Sequence, residues 1–169
     1  AGGHKVVPLE GDTSLYPKLQ RMRGDIDIAF NICEGHRGDS RESQVPAMLE
    51  MLGIPYTAAK VLGHALSLDK AMAKRVWMSY GLPTAAFQVM ERADEPLAKE
   101  LTFPLFAKPL REGTAKGIGA DSVCRDERQL RSRVAQLIAD YQQPALVEDF
   151  LSGREFTVGL LGNRLKPGE

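Results

Sequence analysis

Three basic side chains, Lys108, Arg111 and Lys116, fall in one short stretch, "KPLREGTAKGIG" (108–119), together with Gly113, Gly117, Gly119 and the hydroxyl of Thr114. Glycines let the main chain take positive φ and bring its N–H groups close to an anion, and the lysines and arginine supply charge. Phosphate is the natural guest. The stretch is not a Walker A loop, because no Gly-Lys-Ser/Thr triplet opens a helix, and it is not GxGxxG. Taken alone it is equally a glycine-rich hairpin connection with solvated charges. A second group, "VEDFLSGRE" (147–155), sets Glu148 at the end of an apolar run and Glu155 beyond a turn on Ser152 and Gly153. A linker of this kind can present main-chain amide and carbonyl groups to a purine edge, with the far carboxylate accepting hydrogen bonds from ribose hydroxyls. Two exposed acids at strand ends would read the same way. Lys70, in "LDKAMAK", is either solvated in a first helical turn or a counter-charge beside the phosphate loop. No Ser-His-Asp or Cys-His arrangement stands out, and Cys33 and Cys124 lack metal spacing, so both are expected as reduced, partly buried thiols.

These residues need a scaffold, and the pattern of apolar positions outlines one. "DIDIAFNIC" (25–33) is expected as a strand, ending in the polar loop "EGHRGDSRESQ". A helix follows in which Val45, Met48, Leu49 and Leu52 share a face and Gly53 stands at the C-cap. "GIPYT" reads as a short strand. "LSLDKAMAKRVWMSYGLP" reads as a helix capped by Ser67 or Asp69, with Leu68, Met72 and Val76 in a row and a stop at Gly81 and Pro83. Then come strands at "AAFQVM", "FPLFAKP", "GADSVC", "PALVEDF" and "EFTVGLLG". One helix at "DERQLRSRVAQLIADY" interrupts them, with Asp126 and Gln129 at capping-box spacing and Leu130, Val134, Leu137, Ile138 and Tyr141 on one face. The fold expectation is α/β plus α+β. Residues 1–66 are read as part of a parallel α/β unit and 67–169 as an α+β unit, meeting near Ser67. The start, "AGGHKVVPL", resembles a helix exit followed by a strand, and "EFTVGLLGNRLKPGE" resembles the opening of a hairpin, so the chain reads as a fragment.

Composition narrows the class. Of 169 residues 43% are hydrophobic and 26% charged, and 22 Lys and Arg balance 22 Asp and Glu. Bulk charge therefore gives no reason to expect nucleic acid or an anionic membrane as partner, and local clusters must carry any anion binding. No apolar run approaches the roughly 18 residues of a membrane span and no signal peptide opens the chain, which makes a soluble cytoplasmic protein the expectation.

Taken in order, "GIPYT", "LSLDKAMAKR", "GLPT", "FPLFAKPLREGTAKGIG" and "LVEDFLSGREFTVGLLGN" resemble the D-alanine:D-alanine ligases of the ATP-grasp superfamily, most specifically from Gly53 to Asn163. The resemblance implies a partial pre-ATP-grasp, substrate-side domain followed by part of an ATP-grasp domain. By matching position Lys70 and Lys108 look like lysines that contact ATP phosphates. Glu148, Asp149, Phe150 and Leu151 look like the hinge that meets adenine, and Glu155 like the ribose ligand. Glu112, Gly113 and Thr114 look like the mobile lid over the triphosphate; Thr114 stands where the first serine of a Glu-Gly-Ser-Ser loop is usual and Ala115 lacks the second hydroxyl. The implied reaction is ATP-dependent joining of a carboxylate to an amine through an acyl phosphate, with D-alanine as amino acid, magnesium as cofactor, cell-wall precursor synthesis as setting and a homodimer as common state. The magnesium ligands are expected downstream of this chain, which by itself is expected to be inactive. Departures lie in "EGHRGDSRESQ", where Glu34 replaces a family histidine with His36 nearby, and at Ala58 and Lys60. Glu34 and Thr114 are thus the candidate catalytic positions. A related ligase with another amino-acid substrate, or a non-catalytic ATP-binding module, is the alternative.

Overall fold

The strand "LFAKP" sends Leu105, Ala107 and Pro109 to one side and Phe106 and Lys108 to the other, and both sides find partners. In the computed structural model, which describes residues 2–160 and Gly162, this strand is central to a four-stranded sheet. Its elements are β1 (Phe87–Met90), β2 (Leu105–Pro109), β3 (Val123–Cys124) and β4 (Ala145–Asp149), all antiparallel, in the order β1-β4-β2-β3. Register sets Phe106 opposite Glu148 and Lys108 opposite Leu146. Period-two alternation therefore puts Phe106, Lys108, Leu146 and Glu148 on one face.

The helices are α1 (Leu15–Met22), α2 (Gln44–Leu52), α3 (Val61–Leu68), α4 (Lys70–Ser79) and α5 (Glu127–Tyr141). Helix α5 covers the apolar face: Leu130, Val134 and Leu137 pack with Leu105, Ala107, Cys124, Ala145, Val147 and Met90. Its N-cap is Asp126, which accepts from the Gln129 amide at 2.8 Å as the capping spacing predicts. Helix α4 lies against the other face, where Ala71 packs with Leu110 and Leu146. Asp69 alone separates α3 from α4 and caps the latter, accepting from the Met72 amide at 3.0 Å. Of the two caps the sequence offers, Asp69 is the one used. A separate cluster of Leu15, Leu19, Val45, Leu49, Leu52 and Ile54 joins α1 to α2, and Gly53 closes α2 at φ 66° as expected.

Several expectations need correction. The strand over 25–33 is reduced to a single parallel bridge between Ala29 and Tyr56. Ile28, Phe30 and Ile32 stay exposed, because no described strand lies beside them to extend the ladder. What remains of the parallel α/β unit is that bridge flanked by helices. "GADSVC" begins as a 3-10 turn, and only Val123 and Cys124 pair with β2. No strand forms over residues 4–10, nor over 155–160 where "EFTVGLLG" predicts one; the rest of the expected hairpin lies outside the described residues. Helices α1 and α3 are additions. Pro17 sits in the first turn of α1, where a missing N–H is harmless, and α3 carries Gly63 and little amphipathic contrast. Both cysteines are free, Cys124 buried and Cys33 partly so. Among the described residues no helix is long and apolar enough to cross a membrane.

Candidate functional site

The face of the sheet turned toward α4 carries charge. Glu148 on β4 sits between two lysines: Lys74 of α4 lies 2.7 Å from its Oε2, and Lys108 of β2 pairs with its Oε1. Lys74 is buried, and besides Glu148 it donates to the Thr84 hydroxyl at 2.8 Å. Each ammonium also lies over an aromatic ring, Lys74 above Phe87 at 5.3 Å and Lys108 above Phe106 at 5.5 Å. Burial on its own raises the Glu148 carboxyl, but the hydrogen bonds and charges of Lys108 and Lys74 outweigh it and hold the group below its usual value. The triad keeps one positive charge in excess on a half-buried face, which suits an anionic guest.

Lys70 opens α4 one turn before Lys74, and spacing of four residues puts both on the same side of the helix. Its Nζ donates to the main-chain oxygens of Pro109 at 3.0 Å, Leu110 at 3.3 Å and Glu112. Three donors meet three carbonyls, so this lysine ties down the segment that leaves β2. Burial pushes its pKa down to about 8, with repulsion from Lys108 adding to the effect and Glu112, Glu148 and Asp69 opposing it.

The loop of residues 110–119 is fastened at both roots. At the first, the Gln143 side chain accepts from the Arg111 amide at 2.6 Å and donates to Glu112 Oε1 at 3.0 Å. Arg41, from the turn before α2, donates to the Arg111 carbonyl at 3.1 Å and to Glu112 Oε2 at 2.9 Å. The Arg111 guanidinium reaches Asp69 at 2.9 Å and Asp39 at 3.2 Å. At the second root, Arg133 of α5 donates to the Gly117 carbonyl at 2.7 Å and pairs with Asp121 at 2.7 Å. Gly117 is obligatory here: φ is 73°, and a Cβ would lie 2.5 Å from Pro109 Cγ. Between the roots the tip is exposed. A turn closed by Lys116 N–H to Gly113 carbonyl at 2.9 Å holds Thr114 and Ala115 at φ 49° and 58°. Neither residue is a glycine, so the tip carries left-handed backbone at a cost of about 1–2 kcal/mol per residue.

The 148–155 corner leaves the opposite end of the same strand pair. Pro109 pairs with Ala145 and Leu105 with Asp149, so the loop root and the corner are about 14 Å apart along β4 at about 3.4 Å per residue. The Asp149 amide donates to the Ala86 carbonyl at 3.1 Å and the Phe150 amide to the Pro104 carbonyl at 3.2 Å. The Phe150 ring stacks on Phe106 with centroids 6.2 Å apart. Leu151 is exposed, and so is Glu155, which makes no side-chain hydrogen bond or ion pair among the described residues.

Of the residues singled out in the sequence, Lys108 and Glu148 share this face, Lys70 joins them through the carbonyls of Pro109, Leu110 and Glu112, and Phe150 stacks at its edge; Asp149, opposite Leu105, falls on the other face by alternation, and Gly113 lies in the loop beside Glu42. Thr114 stands on the exposed tip. Glu34 is exposed and makes no hydrogen bond or ion pair among the described residues, and His36 is exposed as well. Sequence reasoning missed Lys74, Arg41, Gln143 and Arg133. Lys74 was within reach, four residues after Lys70 on a predicted helix. The other three act only through tertiary contacts with the loop and give no local signal.

A family model described as D-ala D-ala ligase C-terminus matches residues 76–167. The uncharacterized protein y4sG of Sinorhizobium fredii is 38% identical over 168 residues, covering 96% of this chain and 49% of that protein. The D-alanine–D-alanine ligase of Xanthomonas axonopodis pv. citri is 33% identical over 172 residues, covering 99% of this chain and 52% of the relative. The chain therefore spans about half the length of the curated relatives it matches. A crystal structure of D-alanine–D-alanine ligase from Bacillus anthracis complexed with ATP superposes with a TM-score of 0.66 at 24% identity, covering 88% of this chain and 48% of that one, and so has the same fold.

Proposed function

This chain belongs to the D-alanine–D-alanine ligase family, and we propose that its charged face binds ATP for a carboxylate–amine ligase that forms a peptide bond in cell-wall precursor synthesis. The observation that carries the reading is the Lys74–Glu148–Lys108 triad, flanked at one end by a fastened glycine-containing loop and at the other by the 148–155 corner. Adenine lies at the corner against Phe150 and Leu151, Glu155 takes the ribose hydroxyls, and the phosphates run along the lysines toward Glu112, Gly113 and Thr114. The Bacillus anthracis ligase, which shares this fold, crystallises in complex with ATP, and that supports this choice of nucleotide.

The reaction has two steps. A substrate carboxylate, in this reading that of D-alanine, attacks the γ-phosphate; the P–O bond to ADP breaks and an acyl phosphate forms. The amine of a second amino acid then attacks the acyl carbon, inorganic phosphate leaves, and the amine gives up a proton. Lys108 and Lys74 offset charge on the phosphoryl oxygens, Glu148 keeps both ammonium groups aimed, and the loop over the phosphates excludes water that would hydrolyse the acyl phosphate. Thr114 is the hydroxyl on that loop, and Glu34 stands on the substrate-side segment. Among the described residues no group of three or more His, Cys, Asp and Glu side chains is placed to hold a metal. No step here runs through a metal. In this reading the segment before Ser67 supplies the substrate side and the described segment from Ser67 onward the nucleotide side.

Calorimetric titration with ATP tests the reading. ATP is expected to bind the unmodified chain, and Lys108→Ala to weaken it at least tenfold, as loss of a charge-assisted contact implies. Equal ATP affinity in both proteins would refute it.

A further inference from the structure

We propose that Arg41 is a positioning residue for the phosphate loop, locking its first root from outside the sheet so that the exposed tip is held over the nucleotide's phosphates; this rests on the nucleotide reading of the same site. Arg41 lies in the segment "EGHRGDSRESQ", far in sequence from the loop, yet one guanidinium spans two successive loop residues. Nη1 donates to the Arg111 carbonyl at 3.1 Å and Nη2 to Glu112 Oε2 at 2.9 Å. Its side chain and that of Glu112 keep only 17% and 9% of their surface, so water competes weakly for the pair. Glu112 has no spare oxygen: Oε1 accepts from Gln143 and Oε2 is shared by Arg41 and Lys116, the latter at 3.3 Å. Gly35 packs directly on the Arg41 main chain, where a Cβ would fall 2.0 Å from the Arg41 carbonyl oxygen. Glu42, the next residue, reaches the loop too: a Cβ on Gly113 would lie 3.2 Å from its Oε1. The segment "EGHRGDSRESQ" is thus the one that braces the loop. A change there is felt at the phosphates without touching them.

Three variants, Arg41→Ala, Glu112→Gln and the double variant, test this with magnesium ATP and adenosine as ligands. Arg41→Ala is expected to weaken ATP about tenfold and leave adenosine within about twofold, because adenosine has no phosphates for the loop to cover. The double variant is expected to bind ATP no more weakly than the worse single one, since both remove the same brace. Amide hydrogen exchange at residues 112–117 should quicken about tenfold in Arg41→Ala while exchange in α5 stays as it is, and Arg21→Ala in α1 should change neither. Unchanged exchange at 112–117, equal weakening of ATP and adenosine, or additive losses in the double variant would each overturn the proposal. If the unmodified chain binds no ATP, the nucleotide reading falls and the phosphate role of Arg41 with it; quicker exchange at 112–117 would then still mark the brace as real.

Discussion

The two charged regions of this molecule solve the same problem in opposite ways. On the sheet face, Lys74, Lys108 and Glu148 satisfy one another, so the charges are preset by β2, β4 and α4 before any ligand arrives. In the loop over 110–119, charged and amide side chains act on main chain: Lys70, Arg41 and Arg133 hold carbonyls, Gln143 holds an amide, Arg41 and Gln143 hold Glu112, and the tip between the roots is left exposed in a left-handed turn. The sheet face is a floor set by strand register, and the loop at its end, in the proposed reading its cover, is fastened at the roots and left-handed at the tip. Nucleotide affinity is expected to come from the floor and its water exclusion from the cover, and changes in either should have different signatures.

The largest expected effect lies on the floor. Replacing Glu148 with alanine leaves Lys74 buried with only the Thr84 hydroxyl and the Phe87 ring beside it, and the cost of a buried charge without its counter-ion, reduced for the partial exposure of Glu148, is about 2–3 kcal/mol in urea denaturation. A loss under 0.5 kcal/mol would mean that the triad is an ordinary surface ion pair. On the cover, Gly117→Ala is expected to cost about 1–2 kcal/mol, through positive φ and the clash with the Pro109 ring. Gly153→Ala at the corner meets open space and should stay within about 0.5 kcal/mol. Equal losses at the two glycines would erase the distinction between regions.

Acidity separates the regions further. Lys70 keeps its proton in the unfolded chain to about pH 10.5 but in the fold only to about 8. Between those values the unfolded chain holds the extra proton, so this group's contribution to folding stability rises with pH across that window. Its hold on the three loop carbonyls does the reverse, weakening as the ammonium loses charge. ATP affinity is therefore expected to fall as pH rises through about 8. A Lys70→Met variant should lose that dependence, and calorimetry at pH 7 and 9 checks it. Glu148 is depressed and contributes nothing to such a change, since it stays ionised across this range. One change on the loop is a gain: Ala115→Gly relieves one left-handed residue and should stabilise the chain by up to about 0.5 kcal/mol in the same denaturation assay.

How much of this was legible in the residues follows from range. Several local signals held: the strand at "FPLFAKP" ending at Pro109, the Asp126 cap, Gly53 at the end of α2, and Asp69, one of two caps offered for α4. Lys108 and Glu148 were visible because strand ends with a charge after an apolar run attract notice, and the antiparallel register then joins them. Strand 25–33 failed because alternation needs a neighbour to become a ladder, and the described residues give Ala29 only one partner. The 155–160 strand failed likewise. Lys70 shows the subtler limit: its place at the start of α4 was foreseeable, but a sequence does not say whether an ammonium faces a ligand or its own main chain. Arg41, Gln143 and Arg133 were invisible, being long side chains whose partners lie 70, 31 and 16 residues away.

Photolabelling with 8-azido-ATP, followed by peptide mapping, asks outright whether a nucleotide lies between the corner and the loop, because the reactive group sits on the adenine. Label is expected in the peptide containing residues 145–155 and should be lost when excess ATP is added. Label confined to residues 1–66, or insensitive to ATP, would contradict a nucleotide site on the charged face.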